Sequence, residues 1–420
     1  MTKQSERTLD EFGGESFEDR REALTEILSA KDKLDMGTKR GEWIYNFHTD
    51  GDHPRGLWRR AKVEDYLSKE QSKIPWDVLL DVGKLGKKED ESWVFQGARL
   101  LYPTYDRALI TLSPGGSDSN VVREFDVEKK KFVKGGFVKP ESKGSMGWVD
   151  RDTVIISADF GEGTTTDSGY PRTARLWKRG TKVEEAPVII EGETSDVVAG
   201  ASYDQTPGHE RLIAYRAIDF RTMVMYDVDI DAVLAADPAS TGDSASQDAA
   251  AADARRELLL PRTAEVGAVR DWALLTLRHD WTLDGETFTA GSVLVLPYSS
   301  ALDGPHAADV QVLYTPTEST SFLDVTGTAT GLVLTILDNV KTRILFAADP
   351  HVDPTGEVNE WSLVEVTPEV AEFGTVTIAA VDPLESADVW MVISDFLTPS
   401  SLYYGPVSSQ ELRVRKLRSA

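Results

Sequence analysis

The stretch GGSDS at residues 115–119 comes closest in this chain to a hydrolytic nucleophile. A serine hydrolase of the α/β class carries its serine in G-x-S-x-G, where small flanking residues permit the strained turn that exposes the hydroxyl. That pentapeptide does not occur in the 420 residues. Because Gly-Gly-Ser-Asp is typical of hairpin turns, we predict a turn between two strands here and no catalytic residue.

Two further stretches begin like metal sites. HERLI at residues 209–213 starts like the zinc motif H-E-x-x-H, but Ile213 stands where the second ligand is needed. DVDID at residues 227–231 resembles the start of an EF-hand loop, but Ala232 replaces the glycine of the sharp turn. The alternative there is a strand end followed by a helix capped at Asp231. The chain also has no cysteine and no glycine-rich phosphate-binding motif, so we predict no metal and no cofactor.

Acidic residues offer a third kind of chemistry, since a propeller can hold glycosidase carboxylates around its central channel. Asp150, Asp152, Asp159 and Asp219 are candidates, but with 70 acidic residues the choice of any pair is arbitrary. Solvated strand ends are the alternative. The formal net charge of -24 argues against a nucleic-acid or anionic-membrane partner, because phosphate binding needs a basic face.

Residues 141–181 indicate which elements position these side chains. The β-branched run TVIIS at 153–157 and the alternating run TARLWK at 173–178 are separated by turn chemistry, as in one blade of a β-propeller. Groups of three or four short strands recur about every 50 residues from residue 41 to residue 420, and we count seven groups. The spacing alone leaves open a pair of β-sandwiches, which also have short strands at regular intervals.

Two segments depart from the strand pattern. In the N-terminal segment, residues 1–40, apolar side chains between Phe17 and Leu28 fall on one face and predict a helix over 17–31. Residues 238–256 are small, polar and alanine-rich, which predicts a flexible surface insertion in the fourth blade or, alternatively, a recognition arm. The ten tryptophans should mostly fill the space between sheets, with peptide contact as the alternative.

The cellular compartment is also an expectation from composition. No apolar run approaches the roughly 20 residues of a membrane span, and the N-terminus lacks the apolar core of a signal peptide. The absence of cysteine suits a reducing compartment. We therefore expect a soluble, cytoplasmic protein.

Several stretches resemble the propeller domain of the prolyl oligopeptidase family of serine peptidases. They are GWVDRDTVIISADFG (147–161), TDSGYPR (166–172), LWKRGT (176–181), GGSDSNVVREFD (115–126), LTILDNVKTR (334–343) and FLTPSSLYYG (396–405). The resemblance covers about residues 7–418. It implies an all-β, seven-bladed β-propeller whose ring has no strand exchange, so that the first and last blades meet only by packing.

The resemblance also implies a function. In this family the propeller gates the access of short peptides, including proline-containing ones, to an α/β-hydrolase domain that cleaves through serine, aspartate and histidine. Because the nucleophile motif and an alternating βα pattern are both lacking, we expect this catalytic domain to be absent from the chain and the chain to be inactive alone. The expected partners are that domain and short peptides. The alternative is a stand-alone propeller that binds a peptide or protein partner.

One binding residue follows from the same resemblance. In the family a propeller arginine near the domain interface reaches the backbone of the peptide substrate, and Arg216 in IAYRAID (213–219) occupies a roughly matching place. Its planar guanidinium could hold a carbonyl or a terminal carboxylate. The alternative is a surface or inter-blade ion pair with Asp219.

Overall fold

The computed structural model describes residues 2–30, 33–235, 253–350, 360–371 and 374–419. Within these residues the chain forms seven antiparallel sheets of four or five strands and one additional two-stranded hairpin. Each sheet is built from one continuous segment, and its strands pair with their neighbours in the chain. The fold is therefore the predicted seven-bladed β-propeller and not a pair of sandwiches.

The first four blades lie between residues 38 and 257. Blade 1 consists of β1 Thr38–Arg40, β2 Trp43–His48, β3 Leu57–Lys62 and β4 Asp77–Asp81. Blade 2 consists of β5 Trp93–Leu100, β6 Arg107–Pro114, β7 Asn120–Asp126, β8 Lys131–Phe132 and β9 Val138–Ser142, of which β8 and β9 both pair with β7. Blade 3 consists of β10 Ser145–Trp148, β11 Thr153–Ser157, β12 Thr173–Lys178 and β13 Val188–Glu191. Blade 4 consists of β14 Val198–Asp204, β15 Arg211–Ala217, β16 Met223–Val228 and β17 Arg255–Glu257.

The last three blades lie between residues 265 and 419. Blade 5 consists of β18 Glu265–Val269, β19 Trp272–Thr276, β22 Val293–Pro297 and β23 Gln311–Tyr314, with the hairpin β20 Trp281–Leu283 and β21 Glu286–Phe288 inserted after β19. Blade 6 consists of β24 Thr320–Thr328, β25 Gly331–Asp338, β26 Lys341–Ala348 and β27 Ser362–Glu365. Blade 7 consists of β28 Thr375–Ala380, β29 Asp388–Ser394, β30 Ser401–Pro406 and β31 Arg415–Ser419.

Six helices accompany the blades in the part of the chain that the structure describes. They are α1 Thr2–Phe12, α2 Glu15–Leu28, α3 Val63–Ser68, α4 Val82–Glu89, α5 Ile230–Ala235 and α6 Tyr298–Asp303. The helix predicted over 17–31 is α2, which begins two residues earlier, directly after Gly14, and ends at Leu28. The first strand starts at Thr38, inside the segment 1–40 assigned to the N-terminal helical part, because residues 38–40 pair with β2.

The predicted insertion 238–256 falls mostly outside the described residues. Its last residues are described, and they differ from the prediction. Ala254 is buried, and Arg255 and Arg256 begin β17, which pairs with β16. The strand pattern of the sequence predicts the outer strand of blade 4 at 257–260, but the structure places it at Arg255–Glu257. The same pattern predicts the outer strand of blade 7 at 411–417, but it lies at Arg415–Ser419, because Leu412 first forms a separate bridge with Val407.

Burial varies from strand to strand along the radius of the propeller. The second strand of a blade has neighbouring blades on both faces, so it reads as a continuous apolar run, and all five residues of β11 are buried. The fourth strand is the outer edge, and β27 keeps three of its four residues exposed. Seven hydrophobic clusters result, and each is shared by two adjacent blades. The hydrophobic core is therefore divided among the interfaces between adjacent blades, which are arranged in a ring.

The seventh cluster joins blade 7 to blade 1, and we call this interface the closing seam. Each of these two blades is built from its own chain segment, so no strand is exchanged among the described residues. The resemblance implied that these two blades meet only by packing, but the structure shows hydrogen bonds between them as well. The backbone N–H of Lys39 donates to the carbonyl of Val381 at 3.2 Å, and Arg418 donates to the carbonyl of Tyr66 at 2.7 Å. Hydrogen bonds therefore supplement the packing that closes the ring.

The antiparallel order of strands gives the propeller two distinct rims. The terminal rim carries the starts of the first strands, the ends of the fourth strands and the loops that join second to third strands. The distal rim carries the hairpins that join first to second strands. The chain enters blade 1 and leaves blade 7 at the terminal rim, because β1 starts there and β31 ends there. In the described residues no helix is long and apolar enough to cross a membrane.

Candidate functional site

A cavity of about 860 Å³ lies in the central channel, between the innermost strands of blades 1, 2, 3, 4 and 7. Aromatic side chains form much of its wall, among them Tyr105, Trp148, Tyr203 and Trp390. Small residues such as Gly37 and Ala380 complete the wall. The site is concave and mixes apolar surface with a few polar groups, as small-molecule and peptide sites do.

The loop Leu101–Asp106 of blade 2 reaches across the distal mouth of this cavity. The ring of Tyr105 lies against Gly41 of blade 1, and its centroid is 5.9 Å from that of Tyr102. Burial raises the pKa of the Tyr105 phenol, and the blade 7 carboxylates of Asp382 and Glu385 raise it further. One loop of blade 2 therefore sits close to blades 1 and 7, and it narrows the distal end of the channel.

Charged side chains in the cavity wall are few and mostly positive. They are Arg40 on β1, Arg99 on β5 and Asp204 on β14. Asp204 is already occupied, because its carboxylate accepts hydrogen bonds from the backbone and hydroxyl of Thr206 at 2.9 and 2.6 Å. Among the described residues, neither arginine forms an ion pair, and Arg40 and Arg99 donate only to nearby carbonyl oxygens. The channel of this strongly acidic chain thus has a basic interior.

The structure separates the residues that sequence reasoning considered for chemistry. The GGSDS stretch is the predicted turn between β6 and β7, and Gly115 and Gly116 adopt the positive φ angles of 61° and 81° that such a turn needs. Asp150 and Asp152 lie in the distal hairpin of blade 3, whereas Asp159 and Asp219 lie in loops of the terminal rim. The distal and terminal carboxylates are therefore far apart, and within the distal hairpin Asp152 is paired with Arg179 at 2.9 Å, so the four residues do not form a glycosidase site.

The two metal-like motifs have structural roles. Nδ1 of His209 lies 2.9 Å from a carboxylate oxygen of Asp271 in the next blade. Asp229, and not Asp231, caps helix α5, since its carboxylate accepts hydrogen bonds from the backbone N–H groups of Asp231 and Ala232 at 3.0 Å. Among the described residues, no group of three or more histidine, cysteine, aspartate or glutamate side chains could hold a metal ion.

Arg216 lies at the terminal end of β15 and makes an ion pair with a different partner from the one expected. Its Nε donates to Asp196 Oδ2 at 2.8 Å and its Nη2 to Asp196 Oδ1 at 3.3 Å. Asp196 is 3% exposed, and hydrogen bonds from Arg216 hold its pKa below the usual range, although burial acts in the opposite direction. Asp219 instead accepts backbone hydrogen bonds within its own loop. The substrate-binding role of Arg216 stays a prediction.

Large apolar side chains are exposed in three loops of the terminal rim. Phe220 is 91% exposed in blade 4, Val340 is 78% exposed in blade 6, and Phe396 and Leu397 of blade 7 are fully exposed. Helix α2 adds the exposed side chains of Ile27 and Leu28 on the same side of the propeller. Lys33, which follows α2, donates to the carbonyl of Thr49 in a terminal-rim loop at 3.3 Å. The terminal rim thus exposes large apolar side chains on three blades and on α2.

Sequence reasoning did not identify the residues of the channel. Arg40 and Arg99 stand in short strands with no motif around them, so nothing in the sequence distinguishes them from the other basic residues. One available signal was their position, because both precede the first hairpin of a predicted blade. The exposed loop FLTPSS belongs to a stretch that resembles the family. Its apolar residues between two strands are a signal that could have indicated a docking loop.

Comparison with known protein families gives one match. The family model described as the N-terminal β-propeller domain of prolyl oligopeptidase matches residues 15–229, which is just over half of the chain. Among curated proteins, an uncharacterized peptidase of Sinorhizobium fredii is 34% identical over 388 residues, which cover 91% of this chain and 49% of that protein. An uncharacterized peptidase of Rickettsia prowazekii is 28% identical over 334 residues, or 77% of this chain and 43% of that protein. The chain therefore spans about half the length of the curated relatives it matches.

A solved structure is similar over nearly the whole chain. It is that of a post-proline cleaving enzyme from Rickettsia typhi, which aligns with a TM-score of 0.79 at 23% identity. The alignment covers 96% of this chain and 55% of that enzyme. At this identity the likeness establishes the shared fold.

Proposed function

This chain belongs to the prolyl oligopeptidase family, as its N-terminal β-propeller domain, and from that premise we propose that it is the gating part of a serine-type peptidase. In this proposal a catalytic α/β-hydrolase domain lies on the terminal rim and the propeller covers its active site. Short peptides, including proline-containing ones, reach that site, while folded proteins are too large to enter.

The exposed apolar surface of the terminal rim is the observation that carries this proposal. Phe220, Phe396 and Leu397 project from loops of a rim where the chain also enters and leaves the propeller. A domain connected to either end of the propeller would lie beside these loops. Burying three such side chains would supply a large part of a stable interface, since each fully buried aromatic or leucine side chain contributes about 1.5–3 kcal/mol.

The proposal is tested by association in trans. The half of the S. fredii peptidase that this chain does not match would be produced separately and titrated with the 420-residue chain. We expect a complex with the wild type and loss of most of the affinity in the variant Phe220→Ser, Phe396→Ser, Leu397→Ser. The matched control is Leu363→Ser, which removes an exposed apolar side chain from the outer strand of blade 6. No complex, or equal loss in the control, would contradict the proposed interface.

Catalysis is a separate part of the same proposal. The 420 residues supply no serine in a nucleophile motif, so we expect the pure chain not to cleave a proline-containing fluorogenic peptide, and turnover would contradict this. The channel cavity also supports the second candidate, a propeller that binds a peptide without cleaving it. Peptide binding without any complex in the titration would favour that candidate. The cytoplasmic location stays a prediction that cell fractionation would test.

A further inference from the structure

We propose that Arg40 and Arg99 form a subsite at the distal end of the channel that binds the C-terminal carboxylate of a peptide. The inference rests on the proposed function only for the identity of the ligand as a peptide. The anion-binding chemistry itself follows from the two guanidinium groups and from the groups around them.

The two arginines differ from those between the blades because their charges are not compensated. Arg60 pairs with Glu128 at 2.8 Å, Arg179 with Glu124 at 2.8 Å and Arg270 with Asp349 at 2.8 Å. Arg40 and Arg99 line the same cavity, on the inner strands of adjacent blades, and have no carboxylate partner among the described residues. An arginine presents a planar set of N–H donors that matches a carboxylate.

A second, independent observation points to a missing acceptor in the cavity. Trp390 is 3% exposed and lines the cavity, yet its indole N–H has no hydrogen-bond partner in the described structure. The buried hydroxyl of Tyr105 in the same wall also lacks one. A buried donor without an acceptor destabilises a protein, so such groups are normally paired. A ligand with acceptor oxygens would satisfy them.

The acidic residues nearest to the subsite do not cancel its charge. Asp204 is compensated by Arg211, whose Nε lies 3.7 Å from its Oδ2. Asp382 lies 3.5 Å from Lys39 Nζ, which compensates it. Glu210 and Glu385 are exposed near the Tyr102 loop, outside the cavity wall, and their negative charge makes the distal mouth unfavourable for an anion. An anionic ligand is therefore expected to enter from the terminal rim and to reach Arg40 and Arg99 with its charged end first.

The depth of the channel sets the length of peptide that can extend from the subsite to the terminal rim. The inner strand β5 has eight residues, which at about 3.3 Å per residue makes the channel roughly 25 Å deep. Arg40 and Arg99 lie at or next to the distal ends of their strands. An extended peptide whose carboxylate is bound there needs about seven residues to reach the terminal rim. The subsite would thus favour short peptides with a free C-terminus.

The test is calorimetric titration of the 420-residue chain with acetyl-AAGPAAGA, as the free acid and as the C-terminal amide. We expect the free acid to bind about tenfold more tightly. In Arg40→Gln and in Arg99→Gln this preference should disappear, and the free acid should bind about as weakly as the amide. The matched control is Arg343→Gln, which removes an arginine that is paired with Glu365 on the outside of blade 6 and should keep the preference. The thermal midpoint of each variant verifies that it folds.

The outcomes separate this inference from the proposed function. Equal binding of acid and amide would overturn the carboxylate subsite and leave the proposed peptide access intact. No binding of either form would also overturn the subsite, whereas the gating proposal is contradicted only by the absence of a complex in the titration in trans. A third peptide, the amide with glutamate as its last residue, identifies the source of the carboxylate. If it binds as tightly as the free acid, the assignment to the peptide C-terminus is overturned.

Discussion

The closing seam and the interface between blades 2 and 3 bury similar aromatic clusters but differ in how the chain connects them. Blades 2 and 3 are joined by the short segment between β9 and β10, so their relative position is restricted covalently. Blades 7 and 1 lie at opposite ends of the propeller sequence, and their contact depends on side chains and one backbone hydrogen bond. Non-covalent contacts must therefore close the ring at the seam, where no short chain segment joins the two blades.

The two interfaces are held by different side-chain contacts. At the 2–3 interface, buried Glu124 accepts hydrogen bonds from Arg179 of blade 3 at 2.8 and 3.2 Å. Within blade 2, the buried Lys139 ammonium donates to the carbonyl of Asn120 at 2.7 Å and so joins β9 to β7. At the closing seam the fully buried ring of Tyr66 lies between Trp76 and Trp390, with Arg418 over its face. The linked interface thus has a close ion pair on buried Glu124. At the closing seam the ion pair of Lys39 with buried Asp382 is longer, at 3.5 Å, and Tyr66 with the two tryptophans forms an aromatic plug.

The largest expected effect is at the closing seam. Tyr66→Ala removes a fully buried aromatic side chain, and we expect it to lower the free energy of unfolding by about 4 kcal/mol in urea titrations. The control Tyr66→Phe keeps the ring and loses only the hydrogen bond to the carbonyl of Asp35, at a cost of about 1 kcal/mol. Equal losses in the two variants would show that the phenol, and not the aromatic plug, holds the seam.

A smaller effect is expected at the interface between blades 2 and 3. Glu124→Ala removes the acceptor of the backbone N–H of Phe137 and the buried partner of Arg179, which keeps its exposed partner Asp152 at 2.9 Å. We expect a loss of about 3 kcal/mol by the same measurement. The control Glu365→Ala breaks an exposed ion pair with Arg343 and should cost less than about 1 kcal/mol. If Glu124→Ala costs no more than this control, buried charge does not organise the linked interface.

The smallest effect concerns Lys139 and depends on pH. Burial lowers the pKa of Lys139 from 10.5 to about 8. Below pH 8 the folded and unfolded chains both bind this proton, whereas above it the unfolded chain binds more. The free energy of unfolding should therefore rise by about 2 kcal/mol between pH 8 and pH 9.5, and Lys139→Met should lack this rise. Parallel pH profiles for wild type and variant would contradict the lowered pKa.

Much of the fold could be predicted because blade strands have simple physical signatures. TVIIS at 153–157 is apolar on both faces, since blades cover it on both sides, and its bounds agree with the structure. Outer strands were harder, because an edge strand such as Arg255–Glu257 is short and has no apolar periodicity. The cap of α5 was misplaced by two residues, because alternate aspartates in DVDID have equal capping propensity and only the backbone decides between them.

The candidate site was much less predictable. Arg216 was chosen by resemblance, and the sequence favoured nearby Asp219 as its ion-pair partner, but the fold brings Asp196 to its guanidinium from 20 residues away. Arg40 and Arg99 are separated by 59 positions in the chain, and only the ring of blades places both on one channel. Charge compensation depends on which residues are neighbours in space, and the order of residues along the chain does not determine those neighbours.

The sequence by itself determined the repeated blade, the acidic surface and the family, because strand patterns and turn residues act locally. Only the tertiary structure decided which arginines are neutralised, which rim carries exposed aromatic side chains and how the ring closes. These features depend on contacts between blades that are distant in the chain. Hydrogen bonding and electrostatic interactions act over a few ångströms in space, whatever the separation along the chain.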